Sequence, residues 1–233
     1  MTVVASMPLD TLARAIFQSL RAMDSEAITS LPSGGPTGLS DYGRHARPGM
    51  KRPQAEVEWS RRLAELLRSH GLQVETEVRY PAYAVPASHR RQRCDLVITH
   101  ADNSKLWLEI KGAWRDYWGG NGGIYRSYLL FPLDKQYDAG KSHTVPFDLE
   151  KLGRLQRPAA DSIAELLIGF ERLDDPMDAE IATLIKLANL NLWAGFDDAW
   201  LSATVSNQRV RAWFWHRDVP RPETPNFVSA PTG

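Results

Sequence analysis

Residues 93–111 read RCDLVITHADNSKLWLEIK, and this stretch decides how the fold is read. Two short apolar runs, Arg93–Thr99 and Lys105–Lys111, have strand composition, and Ala101–Ser104 between them supplies turn residues. Leu96, Val97, Ile98, Leu106, Leu108 and Ile110 predict strands buried on both faces, where charge needs an explanation. Yet Asp95 lies inside the first run, and Glu109 and Lys111 end the second. Side chains alternate along a strand, so Glu109 and Lys111 share one face, a carboxylate beside an amine. Whether Asp95 joins them depends on register. An odd loop sets it opposite Glu109 or Lys111, whereas a loop of four residues turns it away.

On the N-terminal side, Gln54–His70 carries a helical apolar pattern that Gly71 is placed to stop, and Leu72–Arg79 alternates as a further strand. The order is therefore a helix followed by a meander of strands. Downstream, Ala113–His143 is long and rich in Gly and aromatic residues; Asp148 is the expected N-cap of a helix carrying Leu149, Leu152 and Leu155. Glu165–Glu171 reads as a buried strand, Ala179–Leu190 as a helix, and Arg209–His216 as a strand whose Trp213, Phe214 and Trp215 pack a sheet. Upstream, Leu12, Ala15, Ile16 and Leu20 define an amphipathic helix over Leu9–Met23, followed by a Gly-, Pro- and Ser-rich loop over Leu31–Pro53. The expected class is α/β, a central mixed sheet flanked by helices. The expected organisation is residues 1–53 as helix and basic loop, 54–219 as the main domain and 220–233 as a poorly ordered tail.

Lys+Arg and Asp+Glu both total 28, so no whole-molecule field draws the chain to a polyanion, and contacts with nucleic acid must come from local patches. Cys94, the single cysteine, excludes an intrachain disulfide framework and a thiolate metal cluster, and fits a reducing compartment. Asp10 and Arg14 interrupt the early apolar stretch, and no run of about 18 apolar residues occurs. A cytoplasmic protein with no membrane partner is expected.

If the three charged residues converge, two carboxylates offer the oxygen ligands that Mg²⁺ prefers and leave room for water and phosphate. A metal there would polarise a phosphodiester and acidify its water, and a lysine beside it would orient the nucleophile or stabilise developing negative charge. Cys94-Asp95 followed by Glu109-Ile110-Lys111 resembles the PD-(D/E)XK nuclease superfamily, whose hallmark is an Asp on one strand and Glu-x-Lys on the next. The likeness covers Gln54–Glu171 in organisation, and Cys94 stands where the motif's Pro is usual. It implies a restriction-endonuclease-like core of helix, strand meander, helix and strand. It also implies Mg²⁺, with Mn²⁺ able to substitute, held at Asp95, Glu109 and Ile110, and an acid on the first helix assisting. Glu56 and Glu58 compete for that last role. Trp59, Leu63, Leu66 and Leu67 form one helix face; Glu56 falls within it and Glu58 points away, which favours Glu56. The implied activity is hydrolysis of DNA, with RNA also open, in restriction, repair or defence, by a chain acting alone, as a homodimer or within a larger complex. The alternative is a catalytically silent module that binds nucleic acid or serves as a subunit.

Two basic clusters are candidates for phosphate contact: Arg44, Arg47, Lys51 and Arg52 in the long loop, and Arg90, Arg91 and Arg93 before the Asp95 strand. Both also read as solvated loop charge. The segment Trp114–Tyr128 could stack bases or form an aromatic cluster, and Lys135, Lys141, His143, Asp148 and Lys151 could extend the site. Asp95, Glu109 and Lys111 themselves could be a solvated face with a cross-strand ion pair.

Overall fold

The computed structural model of the chain describes residues 7–26, 39, 55–85, 91–114, 145–203 and 206–219. Helices α1 (Leu9–Ser25) and α2 (Ala55–Ser69) precede a strand meander, β1 (Gln73–Arg79), β2 (Arg93–Thr99) and β3 (Lys105–Trp114). Then come α3 (Val145–Gly153), β4 (Ser162–Arg172), α4 (Asp178–Leu187), a 3₁₀ turn at Leu190–Leu192, β5 (Ala194–Leu201) and β6 (Gln208–Asp218). The strands form one six-stranded sheet in the order β1-β2-β3-β4-β6-β5. Among the described strands only β3 and β4 pair in parallel, as a connection through α3 allows; the other neighbours are antiparallel. The chain is thus α/β, with a mixed sheet between helices.

Strand alternation sorts the core into two layers. Leu106, Leu108 and Ile110 of β3 and Ala164, Leu166, Ile168 and Phe170 of β4 face α1 and α2, whose Leu12, Ile16, Leu20, Trp59, Leu63 and Leu67 meet them. On the other face, Trp107 and Ile163 pack with Leu152 of α3, while Leu167, Trp213 and Trp215 pack with Ile181 and Leu184 of α4. Trp213 and Trp215 therefore pack the sheet as their spacing predicts. Gly71 ends α2 with φ of +85°, a conformation open to a residue without Cβ. No described helix is long and apolar enough to cross a membrane.

Asp148 is not an N-cap. It lies in the first turn of α3, which begins at Val145, and is 2% exposed. Pro146 explains the earlier start, because the first turn tolerates a residue without N–H, and buried Val145 anchors that turn. Strand β5 has no apolar alternation in its sequence, AGFDDAWL, because it is the sheet edge and stays mostly exposed. Asp24 of α1 compensates for this weak edge. Its buried carboxylate accepts from Trp200 Nε1 (3.1 Å), Ala203 N (2.9 Å) and Ser202 Oγ (3.2 Å), and so clamps the helix to the end of β5.

Gly169 in β4 sits under the indole of Trp213; a Cβ there would stand 2.7 Å from Cζ3. Gly169→Ala should cost about 1–3 kcal/mol of unfolding free energy in a urea titration, the usual penalty for overpacking a close contact. An unchanged midpoint would show that the indole moves freely.

Candidate active site

The site begins where the sheet forks. Strands β2 and β3 pair from Thr99↔Lys105 to Leu96↔Leu108, and β3 then continues to Trp114 without that partner. The intervening loop is His100–Ser104, an odd number of residues, closed by a bond from His100 N to Ser104 O. The register therefore brings Asp95 opposite Glu109 rather than away from it. On the far side of β2, the alternation of faces reverses where the β1–β2 ladder breaks between Thr76↔Leu96 and Val78↔Cys94. Glu77 there has φ of +54°. Val74 and Leu96 join the helical layer, while Val78 and Cys94 join the opposite one.

Beyond the fork, β3 presents backbone N–H groups that a continued ladder would have satisfied. Carboxylates take them. Ile110 N donates to Asp95 Oδ2 (2.7 Å), and Gly112 N donates to Glu56 Oε1 (3.4 Å), so α2 reaches the same gap. In an extended strand the N–H and C=O of one residue face the same neighbour, so the Ile110 carbonyl looks into the gap beside Asp95.

On the face toward α3, Glu109 and Lys111 are 3% and 5% exposed. Lys111 Nζ donates to Glu56 Oε2 (3.4 Å) and ion-pairs with Asp148 Oδ2 (3.0 Å). Lys151 Nζ ion-pairs with Asp148 Oδ1 (2.6 Å) and donates to Glu109 Oε1 (2.6 Å), which also accepts from Tyr80 Oη (2.5 Å). A continuous chain of charged contacts thus runs from Glu56 through Lys111, Asp148 and Lys151 to Glu109. Beneath it, parallel pairing aligns Glu165 of β4 with Glu109. Glu165 is wholly buried, and neither of its carboxyl oxygens has a hydrogen-bond partner.

Burial and mutual repulsion set the charge states. Burial, then Glu109, pushes Asp95 well above the usual carboxylate range; burial, then Asp148, raises Glu109, opposed by Lys151 and Tyr80. Burial, then Asp148, holds Glu165 well above that range. Burial works to lower Lys111, but Asp148, Glu56, Asp95 and Glu109 outweigh it and keep the ammonium protonated well past its ordinary range. Lys151 is raised in the same way by Glu109 and Asp148. Burial also raises the Cys94 thiol, so this cysteine is a packed apolar group rather than a nucleophile.

Asp95, Glu109, Lys111 and Glu56, expected from sequence, are therefore brought together. Glu58 does not point to solvent as the helical wheel predicts; it is 4% exposed and paired with Arg61 (2.8 Å). Arg91 and Arg93 are exposed, and the Arg93 guanidinium donates to the Glu77 carbonyl (2.7 Å). Arg44, Arg47, Lys51, Arg52, Arg90, Lys135, Lys141, His143 and most of the Trp114–Tyr128 segment lie outside the described residues. Tyr80 and Glu165 were not singled out by sequence. For Glu165 the available signal was a lone acid inside an apolar run, between Ala164 and Leu166.

The donor chemistry suits a divalent cation. Five carboxyl groups, Glu56, Asp95, Glu109, Asp148 and Glu165, gather around two lysines, Lys111 and Lys151, and neither oxygen of the Glu165 carboxyl has a hydrogen-bond partner. Among the described residues, no three His, Cys, Asp or Glu side chains are already grouped to hold a metal. Mg²⁺ does not require such a group, because it keeps several waters and binds through one or two carboxylates plus phosphate. Compared with family models, curated proteins and solved structures, the chain has no match.

A carboxyl raised by folding takes up a proton on folding, so it costs stability above the usual carboxylate range, and the cost fades as pH falls into that range. Glu165→Gln should therefore raise unfolding free energy at pH 8 by about 1–3 kcal/mol. The gain should shrink toward zero near pH 4. A pH-independent difference in denaturant midpoints would contradict this.

Proposed function

We propose that the chain is a metal-dependent nuclease of the PD-(D/E)XK type, acting on DNA phosphodiester bonds. The observation that carries this reading is the fork itself: Asp95 and Glu56 meet the unpaired N–H groups of β3, and Glu109 and Lys111 project from the same segment. The order α2, β1–β3, α3, β4 is compatible with a restriction-endonuclease-like core.

Asp95, Glu109 and the Ile110 carbonyl would hold Mg²⁺ or Mn²⁺, with Glu56 placed to accept from its waters. When bound, the ion supplies a polarised phosphodiester and a more acidic water. Lys111 is held protonated by the acids around it, so it acts as a donor to the attacking water or a phosphate oxygen and not as a general base.

The test is cleavage of plasmid, single-stranded DNA and RNA with Mg²⁺ or Mn²⁺ against an EDTA control. Cutting should stop in EDTA and fall on the order of 100- to 1,000-fold in Lys111→Ala and in Asp95→Ala. Metal-dependent cutting that survives either substitution would sink the assignment. Retention of DNA without any cutting would favour a silent binding module.

A further inference from the structure

Helix α3 contributes more to this centre than cover. Asp148 and Lys151, three residues apart, share a face of the helix and are 2% and 7% exposed. Asp148 faces each lysine with a different oxygen: Oδ1 lies 2.6 Å from Lys151 Nζ, and Oδ2 lies 3.0 Å from Lys111 Nζ as an ion pair without hydrogen-bond geometry. Lys151 is further fixed by Glu109 Oε1 at 2.6 Å and lies over the rings of Tyr80 and Phe147, 5.4 and 5.6 Å from their centroids. Leu152 on one side and Val145 on the other lock the helix into separate apolar clusters.

We infer that Asp148 is a positioning residue that couples the two lysines: one carboxylate sets Lys111 for the reaction and Lys151 for holding Glu109. This rests on the nuclease reading. A lysine has a flexible four-carbon stem and three donors, so a single acid leaves it several orientations. Lys111 is instead bracketed by Glu56 and Asp148, and Lys151 by Asp148 and Glu109. Asp148 is the group common to both brackets. Tyr80 and Lys151 both address Oε1 of Glu109, and neither bond occupies its second oxygen. Disturbing Asp148 should therefore displace both ends of the site at once, whereas a residue that merely neutralises buried charge would tolerate any carboxylate in its place.

The experiment compares wild type, Asp148→Asn and Asp148→Glu by plasmid cleavage with Mg²⁺ and by ¹⁵N–¹H spectra of the lysine ammonium groups without metal, assigned with Lys111→Arg and Lys151→Arg. Wild type should show both protected ammonium signals, and Asp148→Asn should lose or shift both. Its kcat should fall on the order of 10- to 100-fold, with KM for DNA changed less than about threefold, as expected when an interaction made in the transition state is lost. Asp148→Glu should not restore kcat, because the added methylene moves the carboxylate; it also decides the matter if the Asn variant does not fold. Full activity in Asp148→Glu, or loss of the Lys151 signal alone with Lys111 and kcat unchanged, would overturn the coupling. If both signals vanish together in Asp148→Asn but wild type cuts nothing, the coupling stands and the nuclease reading falls.

Discussion

The rest of the site follows from one unmet requirement of the backbone: β3 outlasts its pairing with β2, and buried N–H groups must be satisfied. Side-chain carboxylates satisfy them here, from Asp95 on the departing strand and Glu56 on the helix behind it. Meeting a backbone need with acids concentrates negative charge in a poorly hydrated gap. Lys111 and Lys151 answer that charge from the same sheet face and from α3. The helix is needed because the strands alone cannot supply the second lysine or the bridging Asp148.

Such a cluster is costly to build. Buried charges lose hydration, and only close, hydrogen-bonded pairing offsets the loss. The other face of the sheet makes this tolerable. Leu106, Leu108, Ile110, Ala164, Leu166 and Ile168, all buried, pack on the apolar residues of α1 and α2. The two faces of β3 thus divide: even-numbered residues bind the strand into the core, and odd-numbered Glu109 and Lys111 carry the buried charge. Glu165 sits on the charged face, and neither of its carboxyl oxygens has a hydrogen-bond partner.

Much of this was legible in the sequence because it depends on local period. The two-residue repeat placed Glu109 beside Lys111, and the helical repeat favoured Glu56, the acid that meets the site, although its placing of Glu58 toward solvent fails because Glu58 is buried beside Arg61. What sequence left open depends on counting and on distance. Asp95 faces Glu109 only because His100 belongs to the loop, which Ala101–Ser104 alone would have made even. Glu165 meets Glu109 through a parallel register set by the β3–α3–β4 connection, which no local pattern encodes. Asp148 and Lys151 could be named as neighbours of the site, but their partners lie on other elements, and Asp148 was read as a cap. Strand β5 escaped notice for the opposite reason: an exposed edge leaves no apolar period.

We propose the fork between β2 and β3 as a divalent-cation site. A crystal structure of the protein grown with Mn²⁺, with data collected to record the manganese anomalous signal, tests it most directly. An anomalous peak should lie in contact with the carboxylates of Asp95 and Glu109. Crystals in which the fork carries no such peak at saturating Mn²⁺, with the lysine–carboxylate chain intact, would contradict it.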